Sequence, residues 1–371
     1  MGLLVFAVLS IIAHYSTADV RVVCYYGSWS SYDGYNPEDF DARLCTHVNY
    51  GFMSVWENGN VKVEDDSLDI DQGLYYKVTN MKNSNPNLKV LLSVGGGGSE
   101  DLSTILSGVV ADAGKRAAFL GSASYFIQTY NFDGLDVDWE YPSGEDKANF
   151  ITLLQELRDS FNLRGWLLTA AVSADPRDGY DVPQMNNLLD FINVMTYDMY
   201  GSWSSYTGQC SPLYASSVES DWEKQNLNLA AASNNWVNAG ASKEKLSIGV
   251  AFYGRSFTLA DPNQHGLHAP ISGVGVGDGG AINYRDICAT YDGWTRVWDD
   301  EQKNPYKYSG NQWFGYDDGD SIWIKTAYIK DNGFGGVMVW ALDSDDVHGN
   351  CGLKQTLLKH INGALGKIDC C

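Results

Sequence analysis

The chain has 371 residues, of which 44% are hydrophobic and 13% aromatic, so it is long enough to bury a large core. Its 46 acidic and 25 basic residues give a formal net charge of −21, which repels nucleic acid and anionic membranes and excludes both as expected partners. Such a surface suits a neutral substrate or a cationic one, such as a partly deacetylated glycan.

The chain begins with an apolar run, residues 3–13, which Ser16, Thr17 and Ala18 follow. The run is shorter than the ~18 apolar residues of a membrane-spanning helix, and the small residues are typical of a cleavage site. We therefore expect a secretory signal peptide over residues 1–18 and a soluble, extracellular, monomeric chain over residues 19–371. A buried first helix is the alternative, because no positive residue precedes the apolar run.

Eight apolar runs predict strands along the rest of the chain. They are residues 20–26, 47–55, 89–94, 132–139, 166–173, 191–197, 246–253 and 335–342. Most are continuously apolar, as in parallel strands that are covered on both faces. Helical-looking segments such as 115–130, 147–162 and 219–239 separate them. This alternation predicts an α/β fold, a closed (β/α)8 TIM barrel. The alternative, an open doubly wound sheet, would have a Gly-x-Gly-x-x-Gly turn after its first strand, and this chain lacks it.

One interval breaks the alternation between the seventh and eighth predicted strands. Residues 258–323 are rich in Gly, Asp and aromatic residues and are too long for an ordinary loop, so they predict a small inserted α+β subdomain. No Pro/Ser/Thr-rich linker or low-complexity tail follows the eighth strand, and a separate carbohydrate-binding module is therefore not expected. Seven cysteines predict disulfides and one odd thiol, and no cysteine spacing is typical of a zinc site.

The fourth predicted strand carries three alternating carboxylates, Asp136, Asp138 and Glu140. Residues two apart on a strand face the same way, so all three are expected to line the barrel interior toward its C-terminal mouth. Like charges this close cannot all ionise, and at least one pKa should rise. A protonated acid beside an ionised neighbour is what cleavage of a glycosidic bond requires. A solvated acidic strand and a hard-cation site are the alternatives; the apolar opposite face counts against the first.

The pattern Asp133-x-x-Asp136-x-Asp138-x-Glu140 resembles the signature of family 18 glycoside hydrolases, the chitinases. Residues 91–96, 195–198, 252–257 and 336–342 resemble the family's third, sixth, seventh and eighth strand motifs. The resemblance covers essentially all of residues 19–371 and is closest to animal, particularly arthropod, chitinases and chitinase-like proteins.

This resemblance implies that the chain hydrolyses β-1,4-N-acetylglucosamine linkages in chitin and chito-oligosaccharides by a retaining mechanism that needs no metal and no organic cofactor. The nucleophile would be the substrate's own acetamido oxygen, an exception to the usual two-carboxylate scheme. Glu140 would be the general acid and later the base, and Asp138 would orient the acetamide N–H. Asp136 would share a proton with Asp138, and Tyr197 would donate to the acetamido oxygen.

The resemblance also implies a cleft rich in aromatic residues, because the C–H faces of sugar rings pack on aromatic rings. Trp340 matches the floor of the subsite beside the cleaved bond. The other matching positions are Tyr25, Trp29, Phe52, Gly96, Gly97, Tyr141, Met195, Asp198, Trp203, Tyr253 and Arg255. For any single aromatic residue, core packing is the alternative.

Two positions depart from the family's pattern. Gly97 stands where the family usually has Trp, which predicts a missing stacking platform at a distal non-reducing-side subsite. A positive φ that Trp could not adopt is a further expectation at Gly97. Cys210 stands where a polar residue is common and would be the odd thiol. The resemblance implies the disulfides Cys24–Cys45 and Cys288–Cys351, and the sequence assigns no partner to Cys370 or Cys371.

Three functions are compatible with such a barrel: an active chitinase, a chitin-binding lectin or growth-factor-like homologue, and an endoglycosidase that acts on N-glycan cores. Family members of the second kind typically lack the motif's glutamate. Because Glu140, Asp138 and Tyr197 are all present, the sequence favours the enzyme. The aromatic-rich cleft and the inserted subdomain favour long, linear polymers over N-glycans.

Overall fold

The computed structural model describes residues 20–97 and 100–371, so the expected signal peptide lies outside the described residues. Within the described part, the chain forms β1 (Arg21–Gly27), β2 (His47–Val55), β3 (Val61–Val63), β4 (Lys89–Gly95), β5 (Gly134–Asp138), β6 (Leu167–Ser173), β7 (Phe191–Met195), β8 (Leu246–Ala251), β9 (Tyr253–Leu259), β10 (Ile271–Val274), β11 (Ala281–Asn283), β12 (Thr295–Asp299), β13 (Asn304–Ser309), β14 (Gln312–Gly315) and β15 (Gly336–Trp340).

The α-helices of the same part are α1 (Leu74–Thr79), α2 (Glu100–Ala111), α3 (Ala113–Tyr130), α4 (Lys147–Asn162), α5 (Val182–Leu188), α6 (Asp221–Asn226), α7 (Leu229–Asn238), α8 (Tyr284–Thr290), α9 (Gly319–Asp331) and α10 (Thr356–Leu365). Across residues 20–97 and 100–371, no helix has both the length and the apolar character needed to cross a membrane.

Eight parallel strands close into a barrel in the order β1, β2, β4, β5, β6, β7, β8 and β15, and β15 pairs with β1. Every residue of β5, β7 and β8 is buried, because side chains on one face fill the barrel and those on the other pack under the helices. This double burial explains why the predicted strands are continuously apolar. The predicted (β/α)8 barrel is confirmed.

The segment 219–239, predicted as one helix, forms two helices, α6 and α7. Leu227 leaves the helical conformation between them, with φ −105° and ψ 47°. The side chain of Asn228 then accepts a hydrogen bond from the backbone N–H of Ala231 and caps α7. In the short helix α6 only Glu223 is buried, so this helix has no apolar stripe of its own, and the sequence pattern did not separate it from α7.

Strands β9 to β14 form a second, antiparallel sheet in the order β10, β9, β14, β13 and β12, with β11 on β9. This sheet runs from Tyr253 to Gly315, whereas the sequence predicted limits of 258 and 323. Only Phe252 separates β8 from β9, so one apolar run spans the change of sheet. At the other end, Asp318 caps α9 by accepting from the N–H groups of Asp320 and Ser321.

Disulfides join Cys24 to Cys45 and Cys288 to Cys351, the two pairs that the family resemblance implies. A third disulfide joins Cys370 to Cys371, which the sequence left unassigned. Cys210 is a buried free thiol, and burial raises its pKa to about 12. The thiol therefore stays protonated and poorly nucleophilic at neutral pH.

Candidate active site

The carboxylate of Asp136 lies at the centre of β5, completely buried and surrounded by donors. Its hydrogen bonds come from Tyr25 Oη (2.7 Å), Ser93 Oγ (2.8 Å), Thr169 Oγ1 (2.5 Å) and Asn193 Nδ2 (3.3 Å). Ser93 and Thr169 are its register partners on β4 and β6, so the barrel itself places them. Burial raises the pKa of Asp136, and these hydrogen bonds oppose the rise because they favour the ionised form.

Two residues further along β5, Asp138 is also buried, but it lacks a comparable set of donors. Its Oδ1 is buried without a hydrogen-bond donor among the described residues. Burial raises the pKa of Asp138 well above its usual value, and the negative charges of Glu140 and Asp136 raise it further. Asp138 is therefore the carboxyl group of the strand that most favours its protonated form, beside an Asp136 that is buried but accepts four hydrogen bonds.

Glu140 follows the end of β5 and opens into a cleft at the barrel mouth. Burial raises its pKa, the charge of Asp198 adds to the rise, and the guanidinium of Arg177 opposes it. A partly exposed carboxyl with a raised pKa can still carry a proton at pH values where an ordinary glutamate has lost it. The arrangement fits a general acid.

Tyr197 follows β7 and lies against the same cleft, with its hydroxyl 3.8 Å from Sδ of Met338. Burial raises the pKa of Tyr197 well above its usual value, and the nearby charge of Asp138 adds to this. The hydroxyl therefore keeps its proton and is a donor that could serve a ligand.

Asp198, the next residue, is held by an ion pair and a phenol. Its Oδ1 and Oδ2 accept from Nε and Nη2 of Arg255 at 2.7 and 2.8 Å, and Tyr253 donates to Oδ1 at 2.7 Å. These contacts fix the acidic side chain in the wall of the cleft just after β7.

The cleft at the barrel mouth has a volume of about 790 Å³ and collects most of the predicted site. The predicted residues that line it are Trp29, Phe52, Gly97, Asp138, Glu140, Tyr141, Met195, Tyr197, Asp198, Tyr253, Arg255 and Trp340. The rings of Phe52 and Trp340 stack at 5.7 Å and 21°, and Trp29 stacks on Phe52 at 6.1 Å and 27°. One side of the cleft is thus a continuous aromatic surface.

Three predicted substrate contacts lie elsewhere. Tyr25 points into the barrel, where its hydroxyl bonds Asp136, so it supports the cleft from below instead of lining it. Gly96 lines a second cleft that adjoins the first and is described below. Trp203 is exposed outside the lining residues, with its ring 5.2 Å from the guanidinium of Arg255.

The expected positive φ at Gly97 is wrong; the positive values belong to Gly95 and Gly96, at 124° and 92°. Glycine at position 97 instead makes room for the catalytic candidate. A Cβ there would lie 3.0 Å from Oε2 and 3.1 Å from Oε1 of Glu140. A larger residue would have to displace this carboxyl group.

Sequence reasoning missed several residues of the cleft, among them Arg177, Trp222, Asn226 and Asn283. Arg177 follows β6, and its guanidinium lies 4.3 Å from the ring centre of Tyr141. Its place just after a barrel strand is a signal that could have found it, since the carboxyl ends of all eight strands meet at one face. Trp222 and Asn226, on the short helix α6, carry no such signal.

A second cleft of about 590 Å³ adjoins the first, and both are lined by Trp29, Phe52 and Gly97. Together they form one extended groove. Trp56, in the turn between β2 and β3, and Tyr32 are exposed aromatic residues at its far end. Aromatic surface therefore continues on this side, although Gly97 itself offers none.

The sequence matches the family model "Glycosyl hydrolases family 18" over residues 21–345. Among its relatives, an endochitinase of Manduca sexta is 40% identical over an alignment 374 positions long, which covers 93% of this chain and 67% of that protein. These matches cover the barrel, the second sheet and all of the cleft residues described above.

Solved structures agree with the sequence match. The group IV chitinase of Ostrinia furnacalis in complex with allosamidin has a TM-score of 0.90 and 38% identity, covering 94% of this chain and 99% of that one. Human YKL-39, described as a pseudo-chitinase with retained chitooligosaccharide binding properties, has a TM-score of 0.87 and 33% identity, covering 94% and 100%. Fold, cleft and sequence agree: the chain belongs to the glycosyl hydrolases of family 18, enzymes that act on O-glycosyl bonds.

Proposed function

We propose that this chain is a secreted chitinase that cleaves β-1,4 bonds between N-acetylglucosamine units with retention of anomeric configuration. The observation that carries the proposal is the difference between the surroundings of the three carboxyl groups on and just after β5. Asp136 is surrounded by four donors, Asp138 has a buried oxygen that no donor reaches among the described residues, and Glu140 opens into the aromatic cleft. The endochitinases among the relatives support the choice of substrate.

In the first step, Glu140 donates its proton to the glycosidic oxygen as the bond between that oxygen and the anomeric carbon breaks. The carbonyl oxygen of the substrate's acetamido group forms the new bond to the anomeric carbon, which gives a cyclic oxazolinium ion. Asp138 passes its proton to Asp136 as positive charge develops and then accepts the acetamide N–H. Tyr197 donates its hydroxyl to the acetamido oxygen and aligns it for attack.

In the second step, water attacks the anomeric carbon from the side that the leaving sugar vacated. Glu140, now ionised, takes a proton from this water, and the oxazolinium ring reopens to the acetamide. Two displacements at one carbon give net retention. One water is consumed, Glu140 regains its proton, and the proton on Asp136 returns to Asp138 as the positive charge disappears.

The test combines defined chito-oligosaccharides with Glu140→Gln. The amide fits the same space but has no proton to give, so we expect hydrolysis to fall by about 10²–10⁴-fold while oligomer binding persists. Glu145→Gln, an exposed acid in the loop that follows β5, is the matched control and should keep full activity. Activity of Glu140→Gln within tenfold of wild type, or α-anomeric first products by NMR, would overturn the proposal.

Oligosaccharide binding without hydrolysis is the second candidate, and the similarity to YKL-39 favours it. In that case wild type and Glu140→Gln would bind oligomers equally well and neither would release products. Because both outcomes are read in the same assay, the experiment separates the two functions.

Secretion is proposed from the apolar leader. Expression of the full chain in insect cells should place it in the medium with Asp19 as its first residue, which N-terminal sequencing would show. Retention of residues 1–18 in a cell-associated product would contradict this part of the proposal.

A further inference from the structure

A shallow depression of about 420 Å³ lies between the outermost strand of the second sheet, β12, and helix α9. Its lining residues are Arg296, Trp298, Asp320, Trp323 and Ile324, and none of them lines the catalytic groove. We refer to it as the β12–α9 depression.

The spacing of these residues explains how the depression forms. Arg296 and Trp298 are two apart on β12 and share one face of the strand. Val297 points the other way and packs against the core of the second sheet. On α9, Trp323 and Ile324 lie three and four positions after Asp320, so all three share one side of the helix. A strand face and a helix face meet here, and each presents an indole.

The polar groups around the two indoles are held in place. Arg296 donates from Nε and Nη2 to Oδ2 of Asp318 at 2.9 and 2.7 Å, and from Nη2 to Oδ2 of Asp320 at 3.1 Å. Its guanidinium lies 5.5 Å from the ring centre of Trp298. The charge of the arginine is thus matched by two carboxylates. Asp318 also caps α9, so both of its oxygens are engaged, whereas the exposed Asp320 retains lone pairs for hydroxyl and amide donors.

Trp323 has a rigid support. A Cβ on Gly363 of α10 would lie 2.7 Å from Cζ3 of Trp323, so the indole rests directly on the helix at a position where only glycine leaves room. The residue nevertheless remains 38% exposed. An indole that is fixed from behind and open in front loses little conformational freedom when a flat ligand binds.

We propose that the β12–α9 depression is a second carbohydrate-binding site, which holds a β-1,4-linked N-acetylglucosamine chain outside the catalytic groove. The choice of sugar rests on the proposed function. Indole faces suit the C–H faces of pyranose rings, and the exposed carboxylate of Asp320 can accept hydroxyl and acetamide protons. A net charge of −21 and an arginine already paired with two carboxylates favour a neutral ligand over an anionic one.

Such a site would keep the enzyme on an insoluble polymer between catalytic events. Binding at one point raises the effective concentration of neighbouring chains at the catalytic groove. The benefit applies to a substrate large enough to reach both sites, whereas a soluble tetramer occupies only the groove.

The experiment uses the full chain carrying Trp298→Ala and Trp323→Ala, singly and together. We expect the double variant to bind colloidal chitin at least fivefold more weakly, while its kcat/KM on the soluble tetramer stays within twofold of wild type. Tyr125→Ala, which removes an exposed aromatic residue on α3, is the matched control and should change neither quantity. Unchanged chitin binding by a double variant with a normal melting temperature would overturn the proposal.

If the tryptophan variants fold poorly, Asp320→Lys keeps both indoles and introduces an unpaired cation beside Arg296. Weakened chitin binding by this folded variant supports the site, and unchanged binding overturns it. A change of oligomeric state in the double variant by sedimentation would show that a second copy covers the depression, and would also overturn the proposal.

The two proposals fail separately. The chain could bind colloidal chitin through Trp298 and Trp323 and yet not hydrolyse it. That result would keep the second site and reject the catalytic assignment. Hydrolysis as proposed, together with chitin binding that does not change when both tryptophans are replaced, would keep the catalytic assignment and reject the second site. Binding to cellulose is a further test. If the loss of both tryptophans weakens binding to cellulose as much as binding to chitin, the assignment to N-acetylglucosamine is rejected.

Discussion

Asp138 on β5 and Asp317, just before α9, are both buried carboxyl groups, with 3% and 1% of their residue surface exposed. Asp317 has a cation beside it: Nζ of Lys325 lies 2.5 Å from its Oδ1. Ser321 and Asn304 also donate to Oδ1, at 2.7 and 3.3 Å. The charged neighbours of Asp138 on its own strand are further carboxylates, and its Oδ1 lacks a donor among the described residues.

The difference separates structural from chemical use of a buried acid. Burying an unpaired ion costs several kcal/mol, so a buried carboxylate either finds a partner or keeps a proton. Burial raises the pKa of Asp317, but the charge of Lys325 opposes the rise and ties the acid into the fold. Without a cation, the pKa of Asp138 rises well above its usual value, and the proton remains available. The comparison predicts that charge removal has opposite consequences at the two places.

The largest effect on stability is expected for Lys325→Met. Loss of the ammonium leaves Asp317 buried without a cation, which should lower the free energy of unfolding by about 3–5 kcal/mol, measured by urea denaturation. Lys330→Met, at an exposed position of the same helix, is the control and should change it by about 0.5 kcal/mol or less.

The double variant Lys325→Met/Asp317→Leu sharpens this test. With both charges gone, no ion is left unpaired, and the apolar pair should recover most of the stability that the single variant lost. A double variant as unstable as Lys325→Met would mean that the ion pair is not what the single change removes.

At the catalytic strand, Asp138→Asn should stabilise the protein while abolishing hydrolysis. The pKa of Asp138 is about 3.8 in the unfolded chain and higher in the folded protein. Wild type therefore loses stability as the pH rises from the unfolded-state pKa to the folded-state pKa. Asparagine does not titrate, so the variant should be more stable than wild type at pH 7 and close to wild type at pH 3.5. Thermal melts at the two pH values check this, and equal differences at both would contradict it.

Asp136→Asn is the matched comparison on the same strand. Its carboxylate accepts from four donors, and an amide would turn its NH₂ group toward some of them. We expect this variant to lose about 1–3 kcal/mol at pH 7. Stabilisation by both asparagines would show that the donors around Asp136 do not distinguish it from Asp138.

The carboxylates of β5 and the buried pair Asp317–Lys325 also differ in how well the sequence predicts them. The period of two along β5 predicted Asp136, Asp138 and Glu140 on one face; Asp136 and Asp138 are buried on the strand, and Asp138 and Glu140 line the cleft. The donors around Asp136 come from strands that are distant in sequence, so only the closed barrel brings them together. For the buried pair, a signal existed and was missed: Lys325 stands in the apolar stripe of α9 with Ile322 and Ile329, a position where an unpaired lysine is costly.

Boundaries were less predictable than the fold. One apolar run covers β8 and the start of β9, because both strands are buried although they belong to different sheets. The tryptophans of the β12–α9 depression belong to no periodic or family motif. Only the contact of a strand face with a helix face reveals that Trp298 and Trp323 line one site.

A smaller effect is expected from Arg177, which opposes the raised pKa of Glu140. Arg177→Gln removes this positive charge, so the pKa of Glu140 should rise further and the alkaline limb of the kcat/KM profile should move upward by about half a pH unit. Arg177→Lys keeps the charge and should leave the limb in place. A downward shift in the glutamine variant would show that Glu140 is not the group that the limb reports.

The smallest effect concerns the space that Gly97 leaves for Glu140. In Gly97→Ala the new Cβ would lie about 3 Å from both carboxylate oxygens, closer than an ordinary contact, so the acid must shift by a few tenths of an ångström. A displacement of 1 Å can cost about 10²-fold in rate, and a shift this small should lower kcat about two- to tenfold with little change in KM for long oligomers. Gly121→Ala, on α3 with no atom within 4 Å of the added carbon, is the control. Gly97→Trp carries the same Cβ, so the crowding of Glu140 should outweigh any gain from an added stacking platform. An unchanged kcat in Gly97→Ala, or a lower KM for long oligomers with full kcat in Gly97→Trp, would show that position 97 governs the distal subsite and not the catalytic acid.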